Sequence, residues 1–137
     1  MEKLVNYLNL HTDIKYVITT SKEELHSWDY DIGISYCSPY YIKGTKEKPW
    51  FNYHPGPLPK YPGLMNYAKP VYDKVKEYGV TLHKMTEVFD KGPIIKVKKF
   101  KLDSIPTNTN ELGCIAHYYL FQLFKETVEK LDEYTAL

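Results

Sequence analysis

Cysteine is scarce in this 137-residue chain: Cys37 and Cys114 are the only two, and no C-x-x-C pair occurs. That excludes a secreted disulfide scaffold and predicts a reducing, cytoplasmic setting. A surplus of one charge sign is also missing, because 18 basic residues face 17 acidic ones and leave a formal charge of +1. Without a global field to attract phosphate backbones, nucleic acid is disfavoured as a partner. No apolar run approaches the roughly 20 residues that cross a bilayer. The opening MEKLVNYLNLHTD is too polar for a signal sequence, so no membrane association is expected. Internal repeats and low-complexity tracts are absent as well. What is present is 43% hydrophobic residues and 14 tyrosines, the composition of a globular chain whose length suits one domain, residues 1–137. The tyrosines suit a small-molecule cleft or, more simply, stand in for phenylalanine at half-buried positions.

Periodicity alternates between helix and strand. Leu4, Val5 and Leu8 make residues 2–10 a short amphipathic helix, and IKYVITT (14–20) is a β-branched strand candidate. Ser21 and Glu24 offer a capping box for a short helix through His26. DIGISY (31–36) is the next strand, and its continuous apolar character with Gly33 predicts burial on both faces. PWFNYH (49–54) follows, and five prolines from Pro49 to Pro62 require an irregular, shaped loop after it. A helix is expected over 66–78, stopped by Gly79, then strands over 79–85 and 93–102, the second with one wet lysine-bearing face. A long helix over 108–131 should turn Leu112, Ile115, Tyr119, Leu123 and Val128 inward. The pattern predicts an α/β domain with a mainly parallel twisted sheet of about five strands, and a ligand cleft at the carboxyl ends of its strands, in the loops after Tyr36, Tyr53 and Met85.

Two segments carry chemistry. In FNYHPGPLPKYPG (51–63), Asn52 and His54 are two apart, so on an extended strand both side chains leave the same face. In GVTLHKMTEVFDKGPII (79–95) a strand runs into Asp90-Lys91-Gly92, where an aspartate before glycine also suits an ordinary turn.

Taken together, Asn52-x-His54, Leu58-Pro59, Gly63, Gly79-Val80-Thr81 and Asp90-Lys91-Gly92-Pro93 resemble, in order and spacing, the folate-dependent formyltransferase family. That family includes glycinamide ribonucleotide, methionyl-tRNA and sugar N-formyltransferases. The resemblance extends more loosely from Asp31 to Leu131 and implies transfer of a formyl group from N10-formyltetrahydrofolate to an amine, without a metal. It implies Asn52 as donor to the developing oxyanion, a contact of a kind worth about 2.7–4 kcal/mol in acyl transfer. It implies His54 and Asp90 as the proton-handling pair, with the acceptor of the proton left open between them. Ser38, Pro39 and Tyr40, together with Met85, Thr86, Glu87, Val88 and Phe89, correspond to the pterin-lining segments, and Lys60, Tyr61, Gly63 and His83 to substrate contacts. His83 also has a plainer reading, as a satisfied strand histidine.

The chain departs from the family at Gly56 and Pro62, where relatives often carry Ser and Arg, and in its short region before IKYVITT. An abbreviated sheet would leave an edge exposed, from which a homodimer is expected. The wording HPGPLPKYPG looks most like the sugar enzymes, so the acceptor expected is a nucleotide-linked amino sugar. The alternative is a relative that binds folate or nucleotide-sugar without turnover. A metal hydrolase built from His54, His83, Asp90 and His117 would need ligand spacing that the sequence does not have.

Overall fold

The computed structural model of the chain describes residues 1–38, 40–63, 66–86 and 92–136. Pro39, Glu87, Val88, Phe89 and Asp90, all named above as site residues, lie outside the described residues. The elements run α1 (Glu2–His11), a 3-10 turn (Glu23–Ser27), β1 (Gly33–Tyr36), β2 (Trp50–His54), α2 (Ala68–Tyr72), β3 (Glu77–Lys84), β4 (Ile94–Lys101), α3 (Thr109–Thr127) and a second 3-10 segment (Val128–Tyr134).

Among the described residues the sheet has four strands in the order β1-β2-β3-β4, not five. It is mixed: β1 and β2 are parallel, while β2 with β3 and β3 with β4 are antiparallel. The expected parallel sheet therefore holds for one strand pair. For the last pair the reason is the connection from β3 to β4, which is too short for a crossover. IKYVITT does not form a strand. Val17 and Ile18 are exposed there, and a cavity of about 840 Å³ separates this segment from β1, floored by Leu4, Leu8, Phe124 and Leu131. β1 is in turn an edge strand with Ile34 exposed, so burial on both faces was the wrong expectation for DIGISY. Gly33 is explained instead by Trp50, whose indole fills the space a Cβ would need.

The helix expected over 66–78 shrinks to Ala68–Tyr72, and Gly79 sits within β3 rather than at a helix end. Lys74 takes a left-handed φ of 54° and turns the chain into the strand early. α3 begins as expected, with the Asn108 side chain accepting from the Glu111 amide at 2.8 Å and the Glu111 carboxylate accepting from the Thr107 hydroxyl at 2.9 Å. Its buried stripe includes Leu112 and Leu123 as expected, but its centre is Ala116, Leu120, Phe124 and Thr127, with Ile115 and Tyr119 only partly covered.

α3 covers one face of the sheet, on which Phe51, Tyr53, Val80 and Leu82 are fully buried. The Tyr53 hydroxyl lies 2.8 Å from Thr127 Oγ1. α1 packs on the outside of α3, where Tyr7 donates to the Lys125 carbonyl and meets Phe121 and Phe124 edge-on. Among the described residues no helix is long and apolar enough to cross a membrane.

Candidate active site

Strand alternation sends Ser35, Asn52, His54, Thr81 and His83 to the face opposite α3. The register makes them neighbours: Ser35 pairs with Asn52, Asn52 with His83, and His54 with Thr81. Asn52 and His54 thus share one face, as their spacing required, but they do not sit on a cleft rim. Asn52 is 9% exposed, His54 3% and His83 2%. For His54 and Thr81 the physical reason is that the residues following β2 fold back over them.

Polar groups on these strands hold that loop. The Thr81 hydroxyl donates to the Gly56 carbonyl at 2.8 Å and accepts from the Leu58 amide at 3.0 Å. His54 Nε2 lies 2.9 Å from the Tyr61 carbonyl. A carbonyl can only accept, so this nitrogen carries the proton and Nδ1 is the basic atom of the neutral ring. Gly56 is tightly enclosed: a Cβ there would stand 3.1 Å from His54 Nε2 and 3.0 Å from the Tyr61 carbonyl, the two ends of that hydrogen bond. The glycine lets the loop approach the histidine.

The second histidine is fixed from both sides. Asn52 Nδ2 lies 3.1 Å from His83 Nε2, and His83 Nδ1 lies 2.9 Å from the Lys84 carbonyl. An amide nitrogen only donates and a carbonyl only accepts, so the neutral ring carries its proton on Nδ1. The sequence placed His83 near the site without this partner. It gave Thr81 no role, although Thr81 lies two residues before His83 and must share its face.

The remaining expected site residues separate. Met85 lies against Trp50, whose carbonyl accepts from its amide at 2.8 Å, at the amino end of β2 and opposite the exit of His54. The rule that gathers loops at carboxyl ends holds for parallel strands; antiparallel β3 carries Met85 and Thr86 to the other end. Gly44, in the connection from β1 to β2, donates to the Met85 carbonyl and so links that end to the segment bearing Ser38 and Tyr40. Ser38 Oγ accepts from the Tyr40 amide, and both residues border the 840 Å³ cavity. Lys60 lies over the Tyr61 ring, the Tyr61 hydroxyl donates to Asp73, and Gly63 has a φ of 95°. Cys37, directly after β1, has its thiol pushed up to about 12 by burial, which keeps it protonated and a poor nucleophile near neutral pH. Among the described residues no group of three His, Cys, Asp or Glu could hold a metal ion.

The large cavity is not lined by Asn52, His54 or His83. Volume alone favours the cavity as a site, but the chemistry favours the polar layer, where two oriented histidines and an amide are buried together. The formyl transferase family matches residues 42–113, just over half of the chain, and these include the whole polar layer except Ser35. The chain belongs to this family. Over 56 residues it is 41% identical to the phosphoribosylglycinamide formyltransferase of Escherichia coli (strain K12), a match covering 39% of this chain and 26% of that protein. An N-formyltransferase from Helicobacter canadensis, solved with folinic acid and dTDP-3-aminofucose, is 28% identical with a TM-score of 0.71, covering 96% of this chain and 48% of that one. A sugar 3N-formyl transferase solved with dTDP and 5-N-formyl-THF is 28% identical with a TM-score of 0.65, covering 76% and 38%. The chain therefore spans about a quarter of the curated relative and less than half of the two solved ones.

Proposed function

We propose that this formyltransferase chain moves a formyl group from N10-formyltetrahydrofolate to a small amine, with the amino group of a nucleotide-linked amino sugar as the best candidate. The observation that carries the reading is the buried Asn52, His54 and His83 layer within the family's matched segment. The sugar is favoured by the Helicobacter canadensis relative, which aligns over nearly all of this chain and was solved with an amino sugar nucleotide.

In the reaction the amine nitrogen attacks the formyl carbon, and negative charge develops on the formyl oxygen. One Asn52 N–H is given to His83, so the second N–H of the same nitrogen is the donor offered to that oxygen. The attacking nitrogen must then lose a proton. His54 can take it at Nδ1, since Nε2–H is given to the Tyr61 carbonyl, and Asp90 in the family pattern would favour the charged ring. Collapse breaks the bond from the formyl carbon to N10, and the proton taken by His54 is passed to N10, which leaves as the neutral N–H amine of tetrahydrofolate. Ser38, Pro39, Tyr40 and the 85–89 segment would line the pterin, and Lys60, Tyr61 and Gly63 would border the acceptor. The reading includes a cytoplasmic homodimer: both cysteines are free thiols, and the open edge of β1 is the surface through which a second copy would pair.

Incubating the chain with N10-formyltetrahydrofolate and a panel of nucleotide-linked amino sugars should release tetrahydrofolate with at least one of them. The rate should fall on the acid side, where the amine and its proton acceptor are both protonated. Saturable binding of both compounds with no release would instead identify a binding protein, and absence of binding would overturn the reading.

A further inference from the structure

The structure carries an inference about His83 that rests on the formyl-transfer reading and gives this histidine a task other than touching substrate. We propose that His83 is a positioning residue that fixes the Asn52 amide with its nitrogen, rather than its oxygen, available to the reacting carbonyl. The two residues stand directly opposite each other in the β2–β3 register and both are buried. His83 Nδ1–H donates to the Lys84 carbonyl, which leaves Nε2 as an acceptor, and it faces the Asn52 amide at 3.1 Å, where the NH₂ end can donate to it and the oxygen cannot. Turning the amide over would set Oδ1 against a nitrogen lone pair, with no proton between them. The neutral tautomer of His83 therefore excludes the orientation in which Asn52 would repel a developing oxyanion. The backbone supports the arrangement. The β3–β4 pairing slips by one residue at the Leu82–His83 step, so that Lys96 faces Leu82 and Ile94 faces His83. The residue left over, Ile95, is in β4, so β3 keeps its alternation and His83 stays on the face it shares with Thr81 and Asn52.

The test uses the full chain and two substitutions. Glutamine in His83→Gln can accept from Asn52 with Oε1 and donate to the Lys84 carbonyl with Nε2, whereas His83→Leu can do neither. Loss of a transition-state contact predicts that His83→Leu lowers kcat by roughly 10-fold or more, with KM for donor and amine nearly unchanged, and that His83→Gln recovers most of the loss. In the unmodified protein, ¹⁵N spectra of the His83 ring should show Nδ1 protonated and Nε2 bare, and the Asn52 side-chain amide signals should move in His83→Leu. Finding Nε2 protonated in the neutral ring overturns the proposal whether or not the leucine variant folds. So does a glutamine variant as impaired as the leucine one, or a leucine variant whose only change is a raised KM for the amine, which would make His83 a substrate contact. If no amine is formylated by the unmodified chain, the activity reading fails by itself, and the ring spectra still decide the arrangement of His83.

Discussion

The two faces of the sheet use polar contacts in opposite ways. On the α3 face the charged pairs lie at the rim: Lys96 and Lys98 both reach Glu126, with all three side chains substantially exposed. On the other face the polar groups are interior: Asn52, His54, Thr81 and His83 are buried, and each bonds a named partner. A contact at the rim exchanges water for protein at little gain, whereas a buried one is expensive to leave unmade. The first face can lose its rim ion pairs but not its packing or the buried contact of Tyr53 with Thr127; the second is organised around its polar groups.

Substitutions on each face should separate stability from turnover. Leu120 is fully buried under the α3 face, so Leu120→Ala should lower unfolding free energy by about 2–5 kcal/mol in urea titrations while leaving kcat of the folded fraction unchanged. On the other face Asn52→Ala should cost about 2.7–4 kcal/mol of transition-state stabilisation, a drop of roughly 10²–10³ in tetrahydrofolate release, and His54→Ala should be comparably damaging. If Leu120→Ala slowed turnover at a temperature where it remains folded, or if either polar variant kept near-normal rates, the division of labour between the faces would be wrong. Thr81→Val sits between these cases. It keeps the shape but leaves the Gly56 carbonyl and the Leu58 amide without their partner, at about 1–3 kcal/mol, and should loosen the loop that holds His54.

The polar face was legible in the sequence where strand alternation governs it. Asn52 and His54 had to share a side, and the family motif linked them to the β3 segment. The pairing of Asn52 with His83 was not legible, because it depends on the antiparallel register of β2 and β3, and the sequence suggested a parallel sheet. Burial of His54 and Thr81 was hidden for a different reason: prolines announce an irregular loop but do not say which way it folds. The short α2 shows the limit of periodicity, since Tyr67, Val71 and Val75 keep helical spacing while the helix itself ends at Tyr72. IKYVITT shows the same limit for strands. Its β-branched residues satisfy the local preference for strand, but pairing needs a neighbour, and a cavity lies between it and β1.

The smallest effect belongs to the charged rim of the α3 face, and its sign with pH can be worked out. The hydrogen bond from Lys98, reinforced by Lys96, holds the Glu126 carboxyl below its ordinary value. A carboxyl whose folded-state pKa is depressed contributes stability that is fully present above its unfolded value, about 4.3, and is lost as pH falls through the lower folded value. The pairs are open to solvent, so the contribution is limited to about 0–1 kcal/mol and is further screened by salt. Glu126→Gln should therefore unfold slightly more easily than the unmodified chain near neutral pH. The two should converge below the folded-state pKa of Glu126, and the difference should shrink in about 1 M salt. A gap that persisted in strong acid would mean that Glu126 acts through packing rather than charge. A gap of several kcal/mol at neutral pH would mean that this rim behaves like the buried face, and the contrast between the two would have to be given up.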